Sequence, residues 1–281
     1  MKADVAQRKV VLITGASYGI GKAIAVLLAA RGFKVFGTSR KVSRASGENY
    51  QMLQLDVTSD QSVAACVAHV IEQAGRIDVL VNNAGVGMLG AIEETTLEEA
   101  QALFDANFFG VVRMVDAVLP GMRQRRNGLI INLGSLAAAL PMPYHAFLST
   151  SKAAVMAYSD ALRLEVQSLN IQVATVAPGM VRTHLGERFA ALKVPRSIPD
   201  YAALEKKVVQ KMGQDSQKSM EPDVVAETVL RIIRSSSPAS HYFVGREKWF
   251  MVLNRLLPVA AMENLIKQHW EMDGAPAGHS D

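Results

Sequence analysis

The turn from Thr14 to Gly21 has residue types and a spacing that could bind a phosphate group. The apolar run Val10–Ile13 before it predicts a buried strand, and the apolar stretch from Ile20 to Ala30 after it predicts a helix. Glycines at such a turn let the backbone approach a pyrophosphate, whose charge lies at the helix N-terminus. Three glycines could serve only a tight turn, but this context favours a dinucleotide site. The predicted contacts are Gly15, Ser17, Tyr18, Gly19 and Ile20.

The end of the second predicted strand, Lys34–Thr38, indicates the kind of dinucleotide. An acidic residue at this place would bind the ribose 2′-hydroxyl of NAD and would repel a 2′-phosphate. The chain instead has Ser39 followed by Arg40, with Lys41 and Arg44 nearby. A guanidinium pairs strongly and directionally with phosphate, so the sequence favours NADP(H) over NAD(H), with Arg40 as the phosphate ligand.

Further motifs follow in order along the chain. Asp56 and Val57 close the third predicted strand, the segment Asn82 to Gly85 reads Asn-Asn-Ala-Gly and closes the fourth, and Pro178 to Thr183 follows the sixth. Together with the Thr-Gly-x-x-x-Gly-x-Gly turn, this ordered set resembles the short-chain dehydrogenases/reductases. The resemblance covers roughly the first two-thirds of the chain.

The resemblance also implies which residues of these motifs contact the cofactor. The acidic residue after the third strand lies near the adenine in that family, and the segment after the sixth strand contacts the nicotinamide amide. The Asn-Asn-Ala-Gly segment could in part serve only to stabilise the sheet. The implied contacts are Asp56, Val57, Asn83, Ala84, Gly85, Lys152, Pro178, Gly179, Val181 and Thr183.

Four groups cooperate in the chemistry of the family that the chain resembles. A tyrosine exchanges a proton with the carbonyl oxygen, a lysine binds the nicotinamide ribose, a serine hydrogen-bonds the substrate, and an asparagine holds a water. By position, Asn107, Ser135 and Lys152 match the last three groups. Leu148 stands where the tyrosine belongs, one helical turn before Lys152 on the same face.

Leucine cannot donate a proton or a hydrogen bond, and loss of a general acid typically costs about 10² to 10⁴ in rate. Three explanations are open. Leu148 could be a deliberate substitution that traps a complex, a natural divergence towards a binding or altered catalytic role, or a change for which another group compensates.

Tyr144 and His145 are the nearest candidates for a relocated proton donor. The interpretation that Tyr144 is a pocket wall is preferred to a catalytic role. We expect His145 to be an exposed or capping residue. A relay through Asn107, Lys152 and water is a further option.

Strands and helices alternate along the first two-thirds of the chain. Strands this apolar are buried on both faces, which implies a parallel sheet with helices on each side. Right-handed crossovers then predict an α/β, doubly wound Rossmann sheet. The predicted strands are Val10–Ile13, Lys34–Thr38, Met52–Leu55, Ile77–Val81, Leu129–Leu133, Ile171–Val176 and, as a last edge strand, His241–Val244.

We predict a single domain over residues 1–281, with a dinucleotide-binding core at about 8–180 and a substrate lid with C-terminal elements at 181–270. Within that region, residues 180–219 are expected to be a mobile insertion, and residues 273–281 a disordered tail. Two segments, Thr58-x-x-Gln61 and Thr96-x-x-Glu99, predict capping boxes at helix starts.

Composition excludes several classes of protein. The net charge is +4, but the basic residues are scattered and the one dense cluster, 123–126, is placed to complement a helix C-terminus, which disfavours nucleic-acid binding. A single cysteine, Cys66, fits a reducing compartment, and no cluster has metal-ligand spacing. We expect neither a secretory signal nor a transmembrane span, and therefore a cytoplasmic location.

Together, these features predict an NADP(H)-dependent oxidoreductase that transfers hydride between the nicotinamide and a carbonyl or secondary alcohol of an apolar small molecule. Family resemblance implies a homodimer or homotetramer. The alternatives are an NADP(H)-binding sensor or partner subunit without catalysis, and an enzyme of non-redox function that retains the cofactor as structure.

Overall fold

The computed structural model describes residues 8–41, 49–140, 142–182, 194–246, 249, 256–270 and 272, apart from the side chain of Gln217. Its strands are β1 Val10–Ile13, β2 Lys34–Ser39, β3 Gln51–Gln54, β4 Val79–Asn82, β5 Gly128–Leu133, β6 Ile171–Pro178 and β7 His241–Val244. Its α-helices are α1 Gly19–Ala30, α2 Asp60–Ala74, α3 Leu97–Phe104, α4 Gly110–Arg125, α5 Ala146–Val166, α6 Pro199–Gln217, α7 Pro222–Arg234 and α8 Val259–His269.

The seven strands form one sheet in the order β3-β2-β1-β4-β5-β6-β7, and every neighbouring pair is parallel. The order reverses between β1 and β4, which is the switch point at which open α/β sheets bind ligands beyond the carboxyl ends of their strands. The structure therefore confirms the predicted doubly wound parallel sheet.

Each face of the sheet has its own apolar core. One core includes Leu12, Leu80 and Ile130 together with buried residues of α2, α4 and α5. The other includes Ile13 and Val81 together with buried residues of α1 and α7. Adjacent residues of one strand point to opposite faces, so strands that are apolar at every position suit a sheet covered on both sides.

A third apolar cluster lies apart from the two sheet faces. Its buried members include Leu89 and Tyr144 from the first two-thirds of the chain, Val208 and Met212 from α6, and Trp270 after α8. We call this group the lid cluster. The predicted mobile insertion at 180–219 contains α6, a helix that the sequence did not predict, and apolar side chains of α6 pack in this cluster. Residues 183–193 and the predicted tail 273–281 lie outside the described residues.

A row of buried polar side chains crosses the sheet near the carboxyl ends of the strands. Asn82 in β4, Asn132 in β5 and Thr175 in β6 are in register and almost fully buried. Asn82 Nδ2 donates to Asn132 Oδ1 at 2.9 Å, and Asn132 Nδ2 donates to Ser159 Oγ in α5 at 2.8 Å. Ser159 in turn donates to the Val155 carbonyl. These bonds tie three neighbouring elements together.

One of the two predicted capping boxes is wrong. Thr96 and Glu99 form both bonds of a capping box at α3. At α2, however, the N-cap is Ser59, whose side chain accepts from the Ser62 amide. Thr58 instead donates its hydroxyl to the Asp56 carboxylate at 2.7 Å, because this charged acceptor forms the stronger bond.

Arg123 and Arg125 lie in the last turn of α4, where their positive charge was predicted. Arg126 is the C-cap, with a φ of 48°, and its guanidinium donates to the Ser168 carbonyl. Arg125 donates to the Ile77 carbonyl at 2.8 Å. Within the part of the chain that the structure describes, no helix is long and apolar enough to cross a bilayer.

Candidate cofactor site and catalytic centre

The glycine-rich turn between β1 and α1 packs directly against the segment that follows β4. Gly15 and Gly19 have φ values of 70° and 59°, in the left-handed region that glycine adopts most readily. A Cβ at Gly15 would lie 2.9 Å from Ala84 Cα, and a Cβ at Gly21 would lie 2.2 Å from the Gly15 carbonyl oxygen. Side chains at these positions would clash with the turn itself and with the segment after β4, so glycine permits this close packing, which we call the glycine cradle.

Hydrogen bonds join the glycine turn and the Asn-Asn-Ala-Gly segment into one unit. Thr14 Oγ1 accepts from the amides of Asn83 and Ala84, both at 2.9 Å. Asn83 Nδ2 donates back to the carbonyls of Thr14 at 3.0 Å and Gly15 at 2.8 Å. The Asn83 side chain thus holds the shape of the turn, which is the structural role that the sequence left open for this segment.

The helix α1 begins at Gly19, within the glycine turn. Its N-cap residue, Tyr18, makes no side-chain cap bond, and the first turn contains no acidic residue. The leading amides of a helix carry partial positive charge and need acceptors. Ser17 precedes the N-cap, and Ile20 is the second residue of the helix. The glycine cradle and the uncapped helix start both fit a pyrophosphate.

Arg40 lies at the end of β2, where the sequence predicts the nucleotide phosphate. The Ala16 amide donates to the Thr38 carbonyl at 2.7 Å, so the glycine turn and this strand end are adjacent. Hydrogen bonds from Thr58 lower the pKa of Asp56, and the positive charge of Arg40 lowers it further. Arg40 is exposed and stands near Asp56 at the rim of the cradle. Arg44 lies outside the described residues.

Asn107 occupies a π-helical turn, Asp105–Phe109, between α3 and α4. Such turns often occur at functional sites. Its side chain is fully buried and bonds to both backbone groups of Val86: Oδ1 accepts from the amide at 2.7 Å and Nδ2 donates to the carbonyl at 3.0 Å. Nδ2 also lies 3.3 Å from Ser151 Oγ. Ser151 Oγ donates to the Leu148 carbonyl at 2.8 Å.

Ser151 is the residue of this centre that the sequence interpretation missed. It connects Asn107 to the turn of α5 that precedes Lys152. Its position next to Lys152 was visible in the sequence, but a serine in a helix usually bonds to its own preceding turn. The contact of Ser151 with Asn107 becomes visible only in the structure, where α5 packs against the π-helical turn.

Lys152 projects from α5 towards the ends of β4 and β5. Its Nζ donates to the Leu133 carbonyl at 3.0 Å. A Cβ at Gly85 would lie 3.7 Å from this Nζ and 2.9 Å from Asn107 Oδ1, so a glycine at 85 leaves room around both groups. Burial lowers the pKa of Lys152 to about 8.

Ser135 begins a short 3₁₀ helix, Leu136–Ala138, two residues after the carbonyl that Lys152 contacts. Its Oγ accepts from the Ala137 amide at 3.1 Å, and the side chain is half-buried. The hydroxyl proton of Ser135 has no part in this bond, because the hydroxyl oxygen is the acceptor.

Leu148 lies one turn before Lys152 in α5 and is half-buried. The structure therefore places an isobutyl group on the same helix face as Lys152. Asn107 and Lys152 both lie next to Gly85, and Ser135 follows two residues after the Leu133 carbonyl that Lys152 contacts. Leu148 has no proton to give.

Tyr144 belongs to the lid cluster. Its backbone has a φ of 62°, which is rare for a residue with a side chain of this size. Its hydroxyl donates to the Tyr201 carbonyl in α6 at 3.1 Å. Burial, with the charges of Glu205 and Glu94, raises its pKa to about 12. A phenol held in this way is a poor proton donor, and the geometry favours the pocket-wall interpretation.

We expect Tyr144→Phe to leave turnover within about twofold of the native protein, because a single hydrogen bond to α6 is lost and no acid is removed. The free energy of unfolding should fall by about 1 kcal/mol, as is typical for one hydrogen bond. Steady-state kinetics and urea unfolding measure the two effects. A loss of turnover of about 10² or more, typical of a missing general acid, would make Tyr144 the relocated donor.

His145 is buried, so the expectation of an exposed residue is wrong. It occupies the N-cap position of α5, but its side chain makes no cap bond. Its Nδ1 lies 3.0 Å from the Pro143 carbonyl oxygen, and burial lowers its pKa. The left-handed backbone at Tyr144 accompanies this inward turn of the chain.

The segment after β6 continues along the edge of the site. The Gly179 amide donates to the Val244 carbonyl at 2.8 Å, just after Pro178, the last residue of β6. Val181 pairs with Met220 in an isolated parallel bridge. Thr183 lies outside the described residues.

Glu94 is a second residue that the sequence did not indicate. Its carboxylate is fully buried and accepts from the amides of Ala91 at 3.1 Å and Ile198 at 2.8 Å. Ile198 is the N-cap of α6, so Glu94 holds the start of that helix against the core. Among the described residues, no group of three or more potential ligands could hold a metal ion.

A parallel doubly wound sheet, a glycine cradle at its switch point and a lysine beside it define a dinucleotide-binding α/β protein. The chain matches the family model described as short chain dehydrogenase over residues 9–192. It belongs to the short-chain dehydrogenase family, whose members are oxidoreductases that bind a nicotinamide cofactor.

Individual relatives agree with this assignment. The chain is 39% identical to 3-ketodihydrosphingosine reductase of Bacteroides thetaiotaomicron over 85% of its own length and 88% of the relative's. It is 34% identical to bovine (Bos taurus) retinol dehydrogenase 8 over 82% and 79% of the two chains.

Solved structures show the same fold. A short-chain dehydrogenase from Streptomyces avermitilis superposes with a TM-score of 0.79 at 30% identity, covering 95% of this chain and 97% of the other. The closed form of a serine dehydrogenase complexed with NADP+ superposes with a TM-score of 0.71 at 27% identity, covering 84% and 94%.

Proposed function

We propose that this protein is an NADP(H)-dependent oxidoreductase that interconverts a carbonyl and a secondary alcohol on an apolar small molecule. The choice of cofactor rests on Arg40, which follows β2 and lies near Asp56. At the end of β2 an NAD enzyme would have a carboxylate instead. The NADP+ complex among the similar structures supports the same choice.

The residues of the cradle fit the cofactor. Gly15, Gly19 and the start of α1 would hold the pyrophosphate, Arg40 the 2′-phosphate, and Lys152 the nicotinamide ribose. The other contacts would come from residues after the ends of the strands, namely Asp56, Val57, Ala84, Gly85, Pro178, Gly179 and Val181. When bound, the nicotinamide supplies or takes up hydride.

The protein's own groups then orient the substrate. Ser135 would donate its hydroxyl proton to the substrate oxygen, since its oxygen already accepts from the Ala137 amide. Asn107 would hold the π-helical turn and α5 together through Val86 and Ser151. Positioning of this kind can by itself supply a large part of a rate enhancement.

The lid cluster supports an apolar substrate. It places α6 and Trp270 beside Tyr144, so that the C-terminal part of the chain would form an apolar cover at the carboxyl ends of the strands. Two relatives are a 3-ketodihydrosphingosine reductase and a retinol dehydrogenase, and both names denote long apolar molecules. We extend this class of substrate, a lipophilic ketone or alcohol, to the present protein.

The cofactor choice is tested by the dissociation constants of NADPH and NADH for the native protein and for Arg40→Ala. Hydrogen bonds to charged groups contribute about 1.5–3 kcal/mol, so NADPH should bind about 10- to 100-fold more weakly to the variant, with NADH unchanged. Lys41→Ala is the matched control, because it removes the same charge from the next position. A native preference for NADH, or equal weakening by both variants, would contradict the assignment of Arg40.

The reaction is tested by NADPH oxidation with ketones of increasing chain length. We expect kcat/KM to rise with apolar chain length, since each buried methylene contributes about 0.8 kcal/mol. A second candidate function, an NADP(H)-binding sensor or partner subunit, is favoured by Leu148 alone. Tight NADPH binding with no oxidation of any ketone would establish that second function instead.

A further inference from the structure

We propose that Lys152 itself supplies the proton to the substrate oxygen, in the role for which the related enzymes have a tyrosine at position 148. The inference rests on the proposed carbonyl reduction. The substrate carbon accepts a hydride from the reduced nicotinamide, the electron pair of the C=O π bond moves to the oxygen, and that oxygen takes a proton from the Lys152 ammonium. Lys152 is left as a neutral amine and regains a proton from solvent.

The Nζ of Lys152 has hydrogen-bond donors that are not used by the described residues. Among the described residues, its Nζ makes one hydrogen bond, to the Leu133 carbonyl. An ammonium has three donors, so two N–H groups are available, one for the nicotinamide ribose and one for the substrate oxygen. Leu148 lies one turn away on the same face and occupies less volume than a phenol, and its apolar side chain does not compete for these donors.

The surroundings of Lys152 favour loss of a proton from its ammonium group. Its described neighbours include the Leu133 carbonyl at the end of β5, Gly85 after β4 and Asn107 in the π-helical turn, none of which carries a charge. Asn107 Oδ1 already accepts from the Val86 amide. Burial lowers the pKa of Lys152 to about 8, close to the range in which general acids work best.

The two other candidate proton donors, Tyr144 and His145, make contacts with backbone carbonyls. The Tyr144 hydroxyl donates to the Tyr201 carbonyl, and its pKa is raised to about 12. His145 is buried against the Pro143 carbonyl, and its pKa is lowered, which favours the neutral ring. Of the titratable side chains that the sequence offers near position 148, Lys152 is the one that points towards Gly85 and Asn107.

The test replaces the lysine by a chemical analogue of lower basicity. In a Cys66→Ala background, which removes the single native cysteine, Lys152→Cys is alkylated with 2-bromoethylamine to give γ-thialysine. We expect Lys152→Cys to lose about 10²- to 10⁴-fold in kcat and alkylation to restore most of it. The limb of the pH–kcat profile assigned to Lys152 should then move to lower pH, because the sulfur lowers the pKa of the ammonium.

Two further measurements separate proton donation from cofactor binding. Lys152→Arg keeps the positive charge, so it should retain NADPH affinity, but a guanidinium does not release its proton and kcat should fall. An NMR titration of the Lys152 side chain in the Cys66→Ala protein, without cofactor, should show a midpoint near 8.

The outcomes distinguish this inference from the proposed function. Ketone reduction that persists in Lys152→Arg, or a pH profile that thialysine does not move, would overturn Lys152 as the donor and leave the oxidoreductase in place. A side-chain midpoint above 10 would overturn it as well. Tight NADPH binding without reduction of any ketone by the native protein would overturn both.

Discussion

Replacing Leu148 by tyrosine should raise kcat for ketone reduction by about 10²-fold. The new phenol would lie one helical turn before Lys152, whose positive charge would stabilise the phenolate and lower its pKa. A positioned general acid is typically worth about 10² to 10⁴, and the lower end applies here because Lys152 already supplies a proton. Steady-state kinetics with NADPH and one lipophilic ketone measure the gain.

Leu148→Phe is the matched control for this experiment, since it adds the ring without the hydroxyl. Its kcat should stay within about threefold of the native value. An equal gain in both variants would show that ring packing limits the native rate. No gain in Leu148→Tyr would show that proton transfer is not the limiting step.

The second large effect concerns stability. Asn132→Ala should lower the free energy of unfolding by about 3–5 kcal/mol, because two buried partners lose their bonds and each unpaired group costs about 1–3 kcal/mol. Those partners are the Asn82 amide and the Ser159 hydroxyl. Urea denaturation, with the slope checked for two-state behaviour, measures the change.

Thr175→Val is the control on the same row of the sheet. Thr175 is fully buried, and its Oγ1 has no hydrogen-bond partner among the described residues. Replacing it by valine, which has nearly the same shape, removes a buried polar atom and should change stability by less than about 1 kcal/mol. If this variant is as unstable as Asn132→Ala, the hydrogen bonds of the row do not explain its contribution.

Local sequence patterns were enough to predict the architecture. Apolar runs such as Val10–Ile13 predict strands buried on both faces, and the glycine turn before α1 predicts where a dinucleotide would bind. Arg40 could also be placed at the end of β2 from its position in the chain alone. These features depend on neighbouring residues, so they can be predicted without tertiary structure.

Features that depend on distant partners could not be predicted in this way. The capping expectation at Thr58 failed because Asp56 offers a stronger acceptor. The expected mobile insertion contains α6, a helix that contacts Tyr144 and the rest of the lid cluster. The sequence of a helix does not show which remote segments its apolar side chains will pack against, and most of its stability comes from that packing.

The sequence by itself determined the parallel sheet, the glycine cradle and the absence of a tyrosine at position 148, because each is a property of one short segment. Only the tertiary structure decided where the candidate proton donors point. Tyr144 bonds to α6, whereas Lys152 lies between Gly85 and the Leu133 carbonyl. Side-chain direction and burial arise when separate segments pack together, and these two properties set which group can donate a proton.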